Sequence, residues 1–95
     1  MKKSDLKYNI AALREFKALT GVNPFKLTND DVIDPDIFGA LTYVGLKYGK
    51  YSDKKEKPTR EEIEEDLKLE DATLILEAFA DWCYIDVKED ETEKN

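Results

Sequence analysis

The chain has 95 residues, 15 Lys+Arg against 22 Asp+Glu, no His and a formal net charge of −7, a length that fits one domain. Hydrophobic residues make up 41% and aromatic residues 11%, enough for a modest core and against general disorder. Without His, and with Cys83 as the single Cys, one chain builds neither a zinc cluster nor a disulfide framework.

Met1-Lys2-Lys3-Ser4-Asp5 is not followed by an apolar h-region, so no signal peptide is expected. Ser4 to Tyr8 alternates apolar and polar residues, which predicts a short extended lead-in. Asn9 then caps a first helix over 9–20, where Ile10, Leu13, Phe16 and Leu19 recur at helical spacing and Gly21 closes the end. Asn23-Pro24 predicts one helical turn over 23–27 presenting Phe25 and Leu27, and Thr28-Asn29-Asp30-Asp31 is turn chemistry. Asp34-Pro35-Asp36 supplies a cap, Pro at the first helical position and an acid in the first turn of a second helix. That helix carries Phe38, Leu41, Val44, Leu46 and Tyr48, and Gly49 ends it. Gly39 and Gly45 lie inside it, each costing about 1 kcal/mol against Ala, so either another helix approaches there or the helix is weak.

Residues 50–58 form a charged surface loop. Thr59 and Glu62 make a capping box for a short third helix, anchored only by Ile63 and Leu67 beneath a face of acids. The fourth helix starts near Glu70-Asp71 and carries a wide stripe of Ala72, Ile75, Leu76, Phe79, Trp82 and Cys83, with Leu74 and Ala78 broadening it. It is expected to be the central element. Residues 88–95 have the composition of a flexible acidic tail. The expected architecture is all-α: a small single-domain helical bundle of about four helices over 1–87, with that tail after it.

Charge divides along the chain. Residues 1–57 hold 11 Lys/Arg and 8 Asp/Glu, net +3, whereas residues 58–95 hold 4 and 14, net −10. A mildly basic front and a strongly acidic back suit self-neutralisation, head-to-tail docking with a copy, or a basic partner. No apolar run reaches the roughly 20 residues of a membrane span, and one thiol suits a reducing compartment. A soluble intracellular protein is expected.

Each pattern that suggests chemistry has a simpler account. Asp34 and Asp36 fit positions 1 and 3 of a calcium loop, but Phe38 and Gly45 then stand at ligand positions 5 and 12, so they are read as a helix start. Cys83 has no His to activate it and lies on the apolar stripe, so it is read as core. The acids of 61–66 share one helical face and do not flank a cleft as general acid and base must. Lys47, Tyr48, Lys50, Tyr51, Lys54, Lys55 and Lys57 interleave cations with aromatics, yet a net charge of −7 repels nucleic acid at long range. No catalytic residue, metal or cofactor is expected. The acidic second half keeps open an inhibitor or nucleic-acid mimic that binds a basic host protein.

The segment from Leu6 to Phe25, with its Ala12-Leu13-Arg14-Glu15-Phe16 helix closed by Thr20-Gly21, resembles the opening of tail assembly chaperones of long-tailed bacteriophages. Ala40 to Tyr48 is similar to their second helix. Pro58 to Leu67 is similar to the short acidic helix that precedes their final apolar one. The resemblance spans about residues 6–85 and departs at the front, where eight residues stand in place of the β-hairpin that opens many relatives. It implies a non-catalytic protein of the bacterial host cytoplasm, from a phage or prophage. Such a protein coats the tape measure protein, keeps it soluble and hands it to tail tube subunits. Under that resemblance Phe25, Tyr43, Tyr48 and Tyr51 are the candidate partner-binding residues, contributing to a groove for a client helix. Head-to-tail self-association around a long client is expected, and neither nucleic acid nor a membrane is an expected partner.

Overall fold

Local capping chemistry sets most of the helix boundaries that the sequence marks. The computed structural model describes residues 1–27, 31 and 34–94, with side chains through residue 83. Helix α1 (Ile10–Thr20) opens where the Asn9 side chain accepts the Ala12 N–H at 2.9 Å. It closes at Gly21, whose φ of 74° is left-handed and whose N–H donates to the Lys17 carbonyl at 2.7 Å. A 3₁₀ turn follows at Pro24–Lys26, capped by Asn23. Helix α2 (Pro35–Tyr48) opens on Asp34, whose carboxylate accepts the Asp36 N–H at 2.9 Å; Asp34 is thus a helix cap. In α3 (Arg60–Asp66) both halves of the capping box form, at 3.2 Å from the Glu62 N–H to Thr59 and 3.0 Å from the Thr59 N–H to Glu62. Helix α4 (Asp71–Lys94) completes the order, its backbone continuing through residues 88–94, where the composition suggests a tail. Most of the turn expected over 28–31 lies outside the described residues. Among the described residues there is no strand, and the architecture is the expected all-α helical bundle.

The centre of the core is α2, not α4. Phe38, Ala40, Leu41, Val44 and Leu46 of α2 are buried, as is Thr42, whose hydroxyl donates to the Phe38 carbonyl at 2.8 Å. Helix α1 packs along one side of α2 and α3 along another, while α4 meets it through Ile75, Ala78 and Phe79. The small residues at 39, 40 and 45 let α2 be covered from several directions, a pattern that a search for wide apolar stripes ranks low. Trp82, expected in the stripe of α4, is 40% exposed. Ile10 and Leu19 of α1 are also exposed, at 63% and 43%. The buried arc of α1 holds only Ala12, Leu13 and Phe16, and Ile10 lies about 60° beyond Leu13 on the helical wheel.

The lead-in is a 3₁₀ turn at Lys3–Asp5 followed by an extended stretch that buries Leu6 and Tyr8. It is tied across the end of α2 by the Lys7 N–H to the Gly45 carbonyl at 3.0 Å and the Lys50 N–H to the Asp5 carbonyl at 2.8 Å. This accounts for Gly45. A Cβ there would lie 2.5 Å from the Tyr8 hydroxyl oxygen and 2.8 Å from Leu6 Cδ2, so the close approach is by the lead-in and not by a helix. Tyr8 joins three elements: its hydroxyl donates to the Leu41 carbonyl at 2.9 Å, and its ring meets Phe79 edge-on, 5.3 Å between centroids. Burial pushes the Tyr8 hydroxyl well above its ordinary pKa.

Candidate protein-binding groove

The four aromatic residues predicted to bind a partner do not form one surface. Tyr43 and Tyr48 belong to a cluster between α2 and α1 built around a single cation. Lys47 Nζ donates to both carboxylate oxygens of Glu15 at 2.9 Å, and the Tyr48 hydroxyl donates to the same carboxylate at 2.7 Å. The ammonium also lies 5.6 Å from the centroid of Tyr43 and 5.7 Å from that of Tyr48. Hydrogen bonding to Glu15 raises the pKa of both Lys47 and Tyr48, so the cluster is a satisfied ion pair that clamps two helices. Phe25 stands apart in the turn after α1, 60% exposed.

Tyr51 lies elsewhere, in the wall of an open groove of about 430 Å³. The groove runs between the lead-in, the C-terminal end of α2, α3 and the start of α4. Leu46, Tyr51, Ile63 and Leu67 give it an apolar floor, with Met1 at one side. Its rim carries four carboxylates, from Asp5, Glu62, Asp66 and Asp71. Three of them accept a backbone N–H close by: Asp5 from Lys2, Glu62 from Thr59 and Asp71 from Lys68. Among the described residues none of the four is in an ion pair, since the pairs there are Lys3–Asp81, Lys47–Glu15 and Arg60–Glu64. The one lysine of the lining, Lys50, places its ammonium 5.5 Å from the Tyr51 ring centroid. No protein-family model, curated protein or solved structure matches the chain.

Two other depressions are less suited to a partner. One of about 470 Å³, near Leu19, Val22 and Ile37, has its one cation engaged within the fold: Arg60 donates to the Asp36 carbonyl at 2.9 Å and to Glu64 at 2.8 Å. A smaller one of about 260 Å³ lies on the opposite flank of α3, beside Phe38, Leu67 and the 79%-exposed Leu69. Helix α3 therefore has open space on both sides and no buried residue of its own.

The sequence names Tyr51, Leu46, Ile63 and Leu67 one at a time without assembling them. Glu62 and Asp66 are the legible signal for the rim, because i,i+4 places them on one side of α3. Asp5 and Asp71 join them only through the tertiary fold. Among the described residues no group of three or more Cys, Asp or Glu is placed to hold a metal ion, and no helix is long and apolar enough to cross a membrane. A groove with a partly apolar lining and carboxylates that form no ion pair among the described residues can hold an amphipathic segment with basic side chains.

Proposed function

We propose that this chain is a tail assembly chaperone of a long-tailed bacteriophage or prophage. It acts in the bacterial host cytoplasm, holding apolar helical segments of the tape measure protein and helping to recruit tail tube subunits without catalysing a reaction. The observation that carries the proposal is the groove beside α3, which sets Leu46, Tyr51, Ile63 and Leu67 beneath four carboxylates that hold no compensating ion pair among the described residues. A chaperone for a long hydrophobic client needs such a site, wet when empty and shallow enough to accept many sequences. The resemblance of residues 6–85 to that family supports the same assignment.

The test is size-exclusion chromatography with light scattering, with and without a helical fragment of a candidate tape measure protein. A defined complex that weakens when Leu67 is replaced by Glu supports the proposal. A chain that ignores the fragment, yet displaces DNA from a basic protein, moves the assignment to an acidic inhibitor. The exposed Glu61, Glu62, Glu65 and Asp66 of α3 then become the active surface.

A further inference from the structure

We infer that, when no client is bound, the groove beside α3 accepts the outer face of α1 from a second copy of the chain. The inference rests on the groove being a protein-binding site, as proposed above, but not on the identity of its client. It comes from matching two surfaces of the same molecule. The outer face of α1 exposes Ile10, Ala11, Arg14, Lys17 and Ala18, with Lys7 just before the helix. Its only acid, Glu15, is turned away into the clamp with Lys47 and Tyr48. Arg14 and Lys17 form no ion pair among the described residues. One side of the molecule therefore offers a cationic helical face with one bulky apolar side chain, the 63%-exposed Ile10. The groove offers the complement.

The spacing also agrees. Arg14 and Lys17 are separated by about 4.5 Å along the axis of α1, and Glu62 and Asp66 by about 6 Å along α3. Two charge pairs can thus form while Ile10 sits over the floor of Leu46, Ile63 and Leu67. No residue of α1 lines the groove, so one copy presents both surfaces at once. Such an interface is heterologous: each copy gives α1 to one neighbour and its groove to another, and copies add head to tail. Attraction between the free charges steers the encounter and is screened as salt approaches a Debye length of a few ångströms. A client helix competes for the same groove, so client binding and self-association exclude each other at that site.

The experiment uses the full chain and two variants. Arg14→Glu/Lys17→Glu disables the α1 face, and Glu62→Gln/Asp66→Lys weakens the groove while keeping an N3 side chain that can complete the capping box. Far-UV circular dichroism establishes that both are folded, and Asp66→Lys alone, which touches no cap, serves if the double groove variant is not. Sedimentation at low and high salt should show wild-type self-association that is lost at high salt, with each variant alone weakened at least tenfold. Mixing the two variants should restore one interface and stop at a 1:1 pair, because each contributes the surface the other lacks. A wild type that stays an 11.0 kDa monomer at millimolar concentration and low salt overturns the inference. So does a mixture of folded variants that remains monomeric. If the variants pair but the wild type ignores every tape measure fragment, self-docking stands and the chaperone assignment falls. If the fragment binds and the variants do not pair, the reverse holds.

Discussion

Replacing Tyr8 by Phe should produce a stability difference that changes sign with pH. The ring is 2% exposed and its edge-on contact with Phe79 survives the substitution, so only the hydroxyl is lost. That hydroxyl donates one buried hydrogen bond, to the Leu41 carbonyl at 2.9 Å. At neutral pH its removal should cost about 1 kcal/mol, which for a domain of this size lowers Tm by roughly 4–8 °C. Above pH 10 the balance moves the other way. In the unfolded chain Tyr8 ionises near its ordinary value of 10.0, while burial keeps it protonated in the fold. The folded state then binds a proton that the unfolded state has released, so wild-type stability falls as pH rises, by about 1.4 kcal/mol per pH unit from this residue. The Tyr8→Phe variant lacks that slope. Urea unfolding of both proteins at pH 7, 10, 11 and 11.5 isolates it, because titrations common to both cancel in the difference. The variant should be less stable at pH 7, equal within about one unit above pH 10, and more stable by about 1 kcal/mol at pH 11.5. A gap that keeps its neutral value throughout refutes the reasoning, since Tyr8 would then ionise in the fold as easily as outside it.

The two glycines within α2 should answer differently to Ala. At Gly45 the added methyl meets the fixed ring of Tyr8, and overpacking of about 1–3 kcal/mol should outweigh the gain in helix propensity of about 1 kcal/mol. At Gly39 it meets the Glu64 side chain, which can swing away only by giving up its partly exposed pair with Arg60; that small loss offsets the gain in helix propensity, so Gly39→Ala should be close to neutral in the same urea assay. Glu15→Gln removes the carboxylate charge that raises the Lys47 and Tyr48 pKa values and should cost about 0.5–1 kcal/mol at neutral pH, the pair being only partly buried. The Lys47 share of that stability is present below its unfolded pKa near 10.5 and is lost as pH rises through its raised folded value. Thr59→Ala should lower the hydrogen-exchange protection of α3 by about 1 kcal/mol and leave that of α1 unchanged, since the capping box is local.

Much of the fold is legible because helix caps are short-range chemistry. Asn9, Gly21, Asp34 and Thr59 mark boundaries from side-chain and backbone groups within four residues, and all four act as the sequence predicts. Burial is a tertiary quantity and was less accessible. Ile10 and Trp82 have the right spacing for a core, but the neighbouring elements do not reach their sides of α1 and α4. The central role of α2 was obscured because its close packing uses Gly and Ala, which carry little hydrophobic signal. The candidate site was the least legible part. Tyr43 and Tyr48 look like binding aromatics in the sequence, but in the fold Glu15, about thirty residues away, holds the Tyr48 hydroxyl and the Lys47 ammonium, which in turn faces both rings. The groove rim gathers Asp5 with Asp71, a proximity that no local pattern encodes.

The two hydrogen bonds that tie the lead-in to the end of α2 make the groove and the core a single equilibrium. Asp5 is at once a wall of the groove and the acceptor for the Lys50 amide, while Tyr8, three residues on, is wedged into the core. Lifting this segment opens the groove on one side and uncovers Phe79 in the same motion. The amides of Lys7 and Lys50 should therefore exchange with solvent mainly when the segment lifts, so their exchange should report on groove occupancy from outside it. Any occupant that needs the Asp5 wall slows that exchange by its own binding free energy, about 2.7 kcal/mol at a hundredfold excess over Kd. Binding at the surface is thereby converted into cohesion of the interior.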